Sequence, residues 1–196
     1  MKIQKQSIIF VVGVSLVYCS LSAGFSLVGI VLPDKMILPN PIASLSVNEI
    51  AGHFVWGAVA GIVTLKLRYI LLGGLLAVLI DSDHLVARLH VEAIPRMSHS
   101  ITFAIISMIV MMLIFHNKDY RLGAIVATSV LTHISYDMFD SEYGFPIFSP
   151  FLNKIIQFPQ TDWLVFEIAA IVIVGIVSFF VTRKESEKII KNDSGR

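Results

Sequence analysis

The chain has 196 residues, of which 56% are hydrophobic and only 15% are Asp, Glu, Lys or Arg. Soluble domains carry about 25% charged residues, so the composition excludes an ordinary soluble domain. The net charge is +1 and no basic run is interleaved with aromatic residues, which argues against binding to nucleic acid. The single cysteine, Cys19, excludes an intrachain disulfide.

Long uncharged segments predict a polytopic membrane protein. Ser7–Leu32 contains no formal charge, and Leu164–Val181 contains only Glu167. About 20 apolar residues are enough to cross a bilayer. The first apolar run follows Lys2 and Lys5, as in a signal peptide, but it is longer than the usual apolar region of about 7–15 residues. We therefore expect a retained first spanning helix rather than a cleaved leader.

A proline-rich loop, "PDKMILPNPIASLS", follows the first span. The next apolar stretch is interrupted by Lys66 and Arg68, which predicts two short antiparallel helices, Asn48–Leu65 and Tyr69–Ile80. Asn48 or Ser46 is suited to cap the first of them. The second is too short to cross a bilayer alone, so we expect it to extend through Asp83 or to be sheltered by its neighbours.

Three further helices are predicted in the second half of the chain. The fourth covers Ser98–Phe115, and the fifth runs from Leu122 through "THISYDMFD". A loop over Ser141–Asp162 leads to the sixth helix, which begins at Trp163, an aromatic anchor of the kind found at membrane interfaces. The sixth helix is expected to end at Arg183–Lys184.

The predicted fold class is an all-α, polytopic membrane helix bundle with about six (five to six) transmembrane helices, some of them short. Residues 1–182 form one integral membrane domain, and residues 183–196 form a polar cytoplasmic tail. With six spans and a cytoplasmic N-terminus, 11 of the 15 basic residues fall in cytoplasmic segments. The positive-inside rule then predicts a multi-pass protein of the cell membrane with both termini in the cytoplasm.

This topology brings histidines and carboxylates from four helices to the outer side of the membrane. They are His53 in helix two, Asp81, Asp83 and His84 at the end of helix three, His99 at the start of helix four, and His133 and Asp137 in helix five. Imidazole and carboxylate donors together favour Zn, with Mn or Fe as alternatives, so we predict one or two divalent ions.

The spacing of these residues supports shared faces. His133 and Asp137 are four residues apart, which places them on one face of a helix, and Asp140 continues that face. Asp81 and His84 are three residues apart and have the same property. Ionisable groups at membrane depth are costly, so such a cluster indicates function.

Each residue also has a structural interpretation. His53 is compatible with an ordinary interfacial histidine, and Asp137 or Asp140 with a salt bridge to Arg88 or Arg96. Glu167 either reaches the interface or supports the site. We expect His90 and His116 to lie on solvated loops.

The same segments resemble the membrane-bound metal-dependent hydrolase family, the YdjM-like proteins. The similar stretches are "HFVWG" at His53, "IDSDH" ending at His84, "MSHS" at His99, and "HISYDMFDSEYGFPIFSP" from His133. They occur in the family's order between about residues 48 and 152, the expected hydrolase-like core. The chain departs from the family pattern at Ile80, where the family has proline, at Ile94, where it has histidine, and at Asp140, where threonine is frequent.

The resemblance, which extends distantly to the zinc-dependent phospholipase C and P1 nuclease group, implies metal-dependent hydrolysis. The expected metal ligands are His53, Asp83, His84, His99, His133 and Asp137. Asp81 or Asp140 is expected to accept a proton or to orient a ligand, and Arg96, with Arg88, to hold an anionic group.

The expected substrate is an ester or phosphoester at the outer membrane interface, with lipid-linked esters of the bilayer among the candidates. The alternatives are a metal ion or proton transporter that uses the same cluster, and a membrane protein that binds metal only for stability. Gly73–Gly74 is compatible with the broken helix of a transporter.

Overall fold

The structure, a computed structural model, describes residues 2–33, 36–37, 46–89, 92–115, 119–140 and 144–193. Its helices are α1 (Lys2–Val28), α2 (Val47–Ile62), α3 (Leu67–Leu79), α4 (Ile101–Phe115), α5 (Tyr120–Asp140) and α6 (Trp163–Asp193), and α3 continues as a 3₁₀ helix over Ile80–Leu89. Two short antiparallel pairs complete the fold: β1 (Met36–Ile37) with β2 (Glu92–Ala93), and β3 (Gly144–Phe145) with β4 (Ile156–Gln157). The all-α class is confirmed.

Four helices of the described chain are long and apolar enough to cross a membrane. These segments are Gln6–Val28, Leu67–Val86, Tyr120–Asp140 and Gln160–Asn192. The helix Ile101–Phe115 is apolar but shorter. The structure therefore supports a membrane protein with several apolar helices, and the count of about six spans is not confirmed.

The termini of the helices follow local capping chemistry. The Glu49 amide donates to Ser46 Oγ at 3.1 Å, which confirms Ser46 as the cap of α2. The Leu122 amide donates to the Asp119 carboxylate at 3.0 Å, so α5 begins at Tyr120, two residues earlier than predicted.

The predicted end of the sixth helix is wrong. Helix α6 continues past Arg183 to Asp193 instead of ending at Arg183–Lys184. The added segment, "RKESEKIIKND", is rich in good helix formers, and Arg183 Nε lies 3.0 Å from Glu187 Oε1 one turn later. The described part of the tail is thus helical.

Helices α2 and α3 form a closely packed hairpin around two glycines. A Cβ atom on Gly57 would overlap the Gly73 carbonyl oxygen, and a Cβ atom on Gly73 would overlap that of Gly57. Small residues allow such backbone contact between membrane helices. Gly73–Gly74 therefore lies within a continuous α3 and does not break it.

Helix α5 is the central helix of the bundle. In the apolar stretch of α5 that is long enough to cross a membrane, 83% of the residues are buried, compared with 17% in α1 and 22% in α6. The Tyr136 hydroxyl contacts the Asn48 carbonyl at 3.3 Å, and Ser135 Oγ donates to the Trp163 carbonyl at 2.8 Å. The last turns of α5 thus meet the first turns of α2 and α6 at one end of the bundle.

Candidate metal centre

Polar side chains converge at this end of the bundle, inside the protein. His53 follows the cap of α2 by two turns, and His133 and Asp137 occupy the last turns of α5. Asp83 lies in the 3₁₀ segment and His99 in the turn before α4. All five are at most 3% exposed, so they form a buried cluster and not a solvated rim.

The change from α-helix to 3₁₀ helix at Ile80 aligns Asp81 with His84. A 3₁₀ helix has three residues per turn, so side chains at i and i+3 lie directly above one another. His84 Nε2 lies 3.7 Å from Asp81 Oδ1 and 3.6 Å from Asp83 Oδ1. The predicted pairing of Asp81 with His84 is therefore present in the geometry.

Two imidazoles direct nitrogen atoms at each other in the middle of the cluster. His133 Nδ1 lies 2.6 Å from the Ala77 carbonyl oxygen, which requires the proton on Nδ1 and leaves a lone pair on Nε2. His99 Nδ1 lies 3.2 Å from Asp83 Oδ2, which favours the same tautomer. Burial lowers the pKa of His99 to about 3, so its ring is neutral at pH 7.

The two Nε2 atoms of His99 and His133 are 2.8 Å apart. With both Nδ1 atoms protonated, neither Nε2 carries a proton to donate, so two lone pairs face each other. A cation bound by both nitrogens relieves this repulsion. With the proton on Nδ1 in both rings, this pair of nitrogens fits a metal ion.

Asp81 supplies a carboxylate to the same point. Its Oδ1 lies 3.4 Å from His133 Nε2 and 3.8 Å from His99 Nε2. Bonds of 2.0–2.1 Å in a tetrahedral zinc site place neighbouring donors about 3.4 Å apart. The separation of Asp81 Oδ1 from His133 Nε2 equals that value, while the other two, 3.8 Å and 2.8 Å, lie on either side of it.

Three groups of donors have ligand atoms within 4.8 Å of one another. They are His53, His133 and Asp137; Asp81, His99 and His133; and Asp81, Asp83 and His84. His133 and Asp81 each belong to two groups, so the groups are joined into one cluster. The cluster thus has donors enough for one or two divalent ions.

His53 completes the cluster from α2. Its Nε2 lies 3.3 Å from Asp137 Oδ1, and its ring stacks on His133 with centroids 3.9 Å apart. Among the described residues, His53 Nδ1 and Asp83 Oδ1 are buried without a hydrogen-bond partner. Buried polar atoms without partners are costly, and a bound ligand is one way to satisfy them.

Arg96 lies at the edge of the cluster. Its Nη1 donates to Asp137 Oδ2 at 2.8 Å, and its guanidinium lies 5.4 Å from the centre of the Phe145 ring. Its backbone is left-handed, with φ of 52°. The structure therefore contains the predicted pairing of Asp137 with Arg96. The Arg88 side chain, His90 and His116 lie outside the described residues.

Asp140 lies apart from the three donor groups, at the exposed end of α5. Its neighbour is Glu49. Burial is the main cause that raises the pKa of Glu49, and the negative charge of the Asp140 carboxylate raises it further. Glu49 Oε2 also lies 3.7 Å from His53 Nε2. Glu49 was not among the predicted site residues, although Glu49 and His53 have the same i, i+4 spacing as His133 and Asp137.

Glu167 does not reach the interface. It is 6% exposed, and neither of its carboxylate oxygens has a hydrogen-bond partner among the described residues. It belongs to none of the three donor groups. Glu167 is therefore buried inside the bundle, and its contribution to the site stays a prediction.

The comparison with protein families covers the region that holds this cluster. A family model, YdjM inner membrane protein, matches residues 49–191, more than half of the chain. The chain belongs to the YdjM inner membrane protein family. No curated protein and no solved structure matches the chain. The YdjM match includes every donor of the cluster and leaves α1 outside.

Proposed function

We propose that this YdjM-family protein is a membrane-embedded metal-dependent hydrolase that acts on a phosphoester or ester. The observation that carries the proposal is the convergence of His99 Nε2, His133 Nε2 and the Asp81 carboxylate inside a helix bundle. A buried cluster of this kind at membrane depth is costly, which favours a functional role. The nitrogen and oxygen donors suit Zn first, and Mn or Fe as alternatives.

The donor groups indicate which residues would bind the metal and which would support those ligands. His53, His99, His133 and Asp137 would hold the metal, and Asp81 belongs to two of the three donor groups. His84 lies beside Asp81 and completes the third group.

Asp83 Oδ2 lies 3.2 Å from His99 Nδ1 and orients the His99 ring. Asp83 is also a possible metal ligand in the third group, with Asp81 and His84. When bound, a divalent ion supplies a water of lowered pKa and polarises the ester or phosphoryl oxygen.

Carboxylates at the exposed side of the cluster are suited to proton transfer. Asp140 and Glu49 lie between the buried donors and the end of the bundle. Burial raises the pKa of Glu49, so Glu49 accepts a proton closer to neutral pH than an ordinary carboxylate does. Arg96, which contacts Asp137, presents a guanidinium whose planar donors suit a phosphoryl oxygen.

The depth of the cluster favours a substrate from the bilayer. His133 is seven residues from the end of α5 at Asp140, which corresponds to about 10 Å along a helix. With the end of α5 taken as the membrane surface, this distance corresponds to the boundary between headgroups and acyl chains. We therefore propose a lipid or lipid-linked phosphoester as the substrate.

Hydrolysis of an aryl phosphodiester and of a defined phospholipid in detergent micelles tests the proposal. We expect turnover by the Zn-loaded protein, loss with EDTA, and recovery on adding Zn. Asp81→Asn should abolish turnover, while Thr128→Ser, a buried position on α5 whose hydroxyl donates to the Ala124 carbonyl of its own helix, should retain it. A metal-loaded protein without turnover on any ester contradicts hydrolysis and favours a structural metal site.

Transport remains the competing function because His99 and His133 are fully buried, as donors of a translocation site are. Transport sites lie near the bilayer midplane in broken helices, whereas α3 is continuous through Gly73–Gly74. Metal and proton flux into proteoliposomes separates the two functions. Flux without hydrolysis would contradict the proposal.

A further inference from the structure

Three buried serine hydroxyls join α1 to the segments that carry the metal donors. Ser22 and Ser26 lie one turn apart on α1, and Ser98 immediately precedes His99. Ser22 Oγ lies 2.6 Å from the Ile80 carbonyl oxygen and 3.0 Å from Ser98 Oγ, and Ser26 Oγ lies 3.2 Å from Ser98 Oγ. All three serines are at most 3% exposed.

The protons of these hydroxyls can be assigned in one consistent way. Each hydroxyl donates once and accepts at its lone pairs. Ser22 donates to the Ile80 carbonyl, which is its shortest contact, and Ser98 donates to the Ser22 carbonyl at 3.0 Å. Ser26 then donates to Ser98 Oγ. Every proton of the serine cluster therefore has an acceptor.

A fourth serine, Ser82 of the 3₁₀ segment, also bonds to α1. Ser82 Oγ donates to the Cys19 carbonyl of α1 at 2.9 Å. Ile80 and Ser82 are the two sequence neighbours of Asp81, and Ser82 also precedes Asp83. A backbone shift at these positions moves the carboxylates directly.

We infer that α1 positions the metal centre: Ser22, Ser26 and Ser98 fix the backbone beside Asp81 and His99. This inference rests on one part of the proposed function, namely that the cluster binds metal, and it does not depend on hydrolysis. Helix α1 is mostly exposed on the outside of the bundle and lies outside the YdjM match, so as a simple anchor it would need no polar contacts. Hydroxyls placed in a membrane bundle are paired because unpaired ones are costly there.

Cobalt titration of the full chain in detergent tests this role, because Co²⁺ absorption reports ligand geometry as well as affinity. Loss of a group that orients metal ligands costs about 10- to 100-fold in affinity. We expect Ser22→Ala and Ser98→Ala to raise the Kd for Co²⁺ by that factor and to change the absorption bands. Ser20→Ala is the matched control, since Ser20 Oγ is exposed and bonds to Leu16 within α1.

The outcomes separate this inference from the proposed function. A wild type that binds no Co²⁺ overturns both. A wild type that binds Co²⁺, with Ser22→Ala and Ser98→Ala of unchanged affinity and spectrum, overturns the positioning role alone. If Ser22→Ala does not fold, Ser82→Ala removes the contact to Cys19 from a half-buried position, and wild-type behaviour of that variant is equally decisive.

Discussion

At the scale of single residues, the pair of Arg96 and Asp137 shows how the cluster is held together without relying on the ion alone. Asp137 contacts both His53 and His133, and its third partner is the Arg96 guanidinium at 2.8 Å. A divalent ion and the guanidinium offer positive charge to the same carboxylate. Their contributions to stability should therefore overlap.

We expect Arg96→Gln to destabilise the metal-free protein strongly, because it leaves the Asp137 carboxylate, 4% exposed, without its cation. Breaking a buried pair in this way costs about 3–5 kcal/mol in the free energy of unfolding. Bound Zn²⁺ should reduce the loss, and thermal unfolding in EDTA and in Zn²⁺ measures both.

Arg183→Gln is the control for this experiment. Its partner is Glu187 and both side chains are more than 60% exposed, so its effect should stay below about 1 kcal/mol in either condition. An equal loss for Arg96→Gln with and without Zn²⁺ would contradict the overlap.

Local spacing predicts part of the site and misses the rest. The pairs His133–Asp137 and Asp81–His84 follow from helical periodicity, and the same rule applied to Glu49 and His53 would have found Glu49. The contact of Arg96 with Asp137 joins residues 41 positions apart. It depends on the left-handed backbone of Arg96, and an arginine does not indicate this conformation in a sequence.

At the scale of elements, the α2–α3 hairpin decides where His53 stands relative to Asp81. The two helices are in backbone contact at Gly57 and Gly73, one or two turns from those donors. From the sequence alone, Gly73–Gly74 is compatible with a broken helix. The role of Gly57 and Gly73 in close helix packing is visible only in the folded structure, where each glycine faces the backbone of the other helix.

Gly73→Ala should separate the hairpin, because the new Cβ meets the Gly57 carbonyl oxygen, a backbone atom that cannot move aside. Overpacking of this kind costs about 1–3 kcal/mol. We expect a lower unfolding temperature and weaker binding of Zn²⁺.

Gly175→Ala is the matched control in α6, since beyond its own stretch of helix no atom of the described residues lies within 4 Å of the position that its Cβ would occupy. Alanine is the better helix former, so this variant should be neutral or slightly stabilised. Wild-type stability of Gly73→Ala would show that the two helices are not in contact as described.

The start of α2 could be predicted from the local cap at Ser46, and the start of α6 from the aromatic anchor Trp163. The end of α6 could not, because a polar helix and a solvated tail have similar composition. The contact of Arg121 Nη1 with Glu185 Oε1 at 2.8 Å holds this helical extension against the start of α5. That contact joins residues 64 positions apart and leaves no local signal.

At the scale of the whole molecule, membrane orientation determines which compartment the metal cluster faces. The bias of basic residues predicts that the end of the bundle with the cluster faces outward. Phe151, 87% exposed near that end, and Ile189, 63% exposed on the extension of α6, lie on opposite sides in this topology.

A cysteine introduced at either position in a Cys19→Ser background reports the orientation. We expect Phe151→Cys to react with a membrane-impermeant maleimide in intact cells and Ile189→Cys to react only after permeabilisation. The Cys19→Ser protein alone should stay unlabelled. Labelling of Ile189→Cys alone in intact cells would reverse the orientation.

The metal content of the purified protein is the most direct test, because the proposed function depends on the buried donors. We expect the wild type to contain about one or two equivalents of Zn, Mn or Fe per chain by elemental analysis. His133→Ala, which removes a donor shared by two groups, should lose most of this metal, while Thr128→Ser on the same helix should keep it. A folded wild type without stoichiometric metal, also after loading with Zn²⁺, would contradict the proposed metal centre.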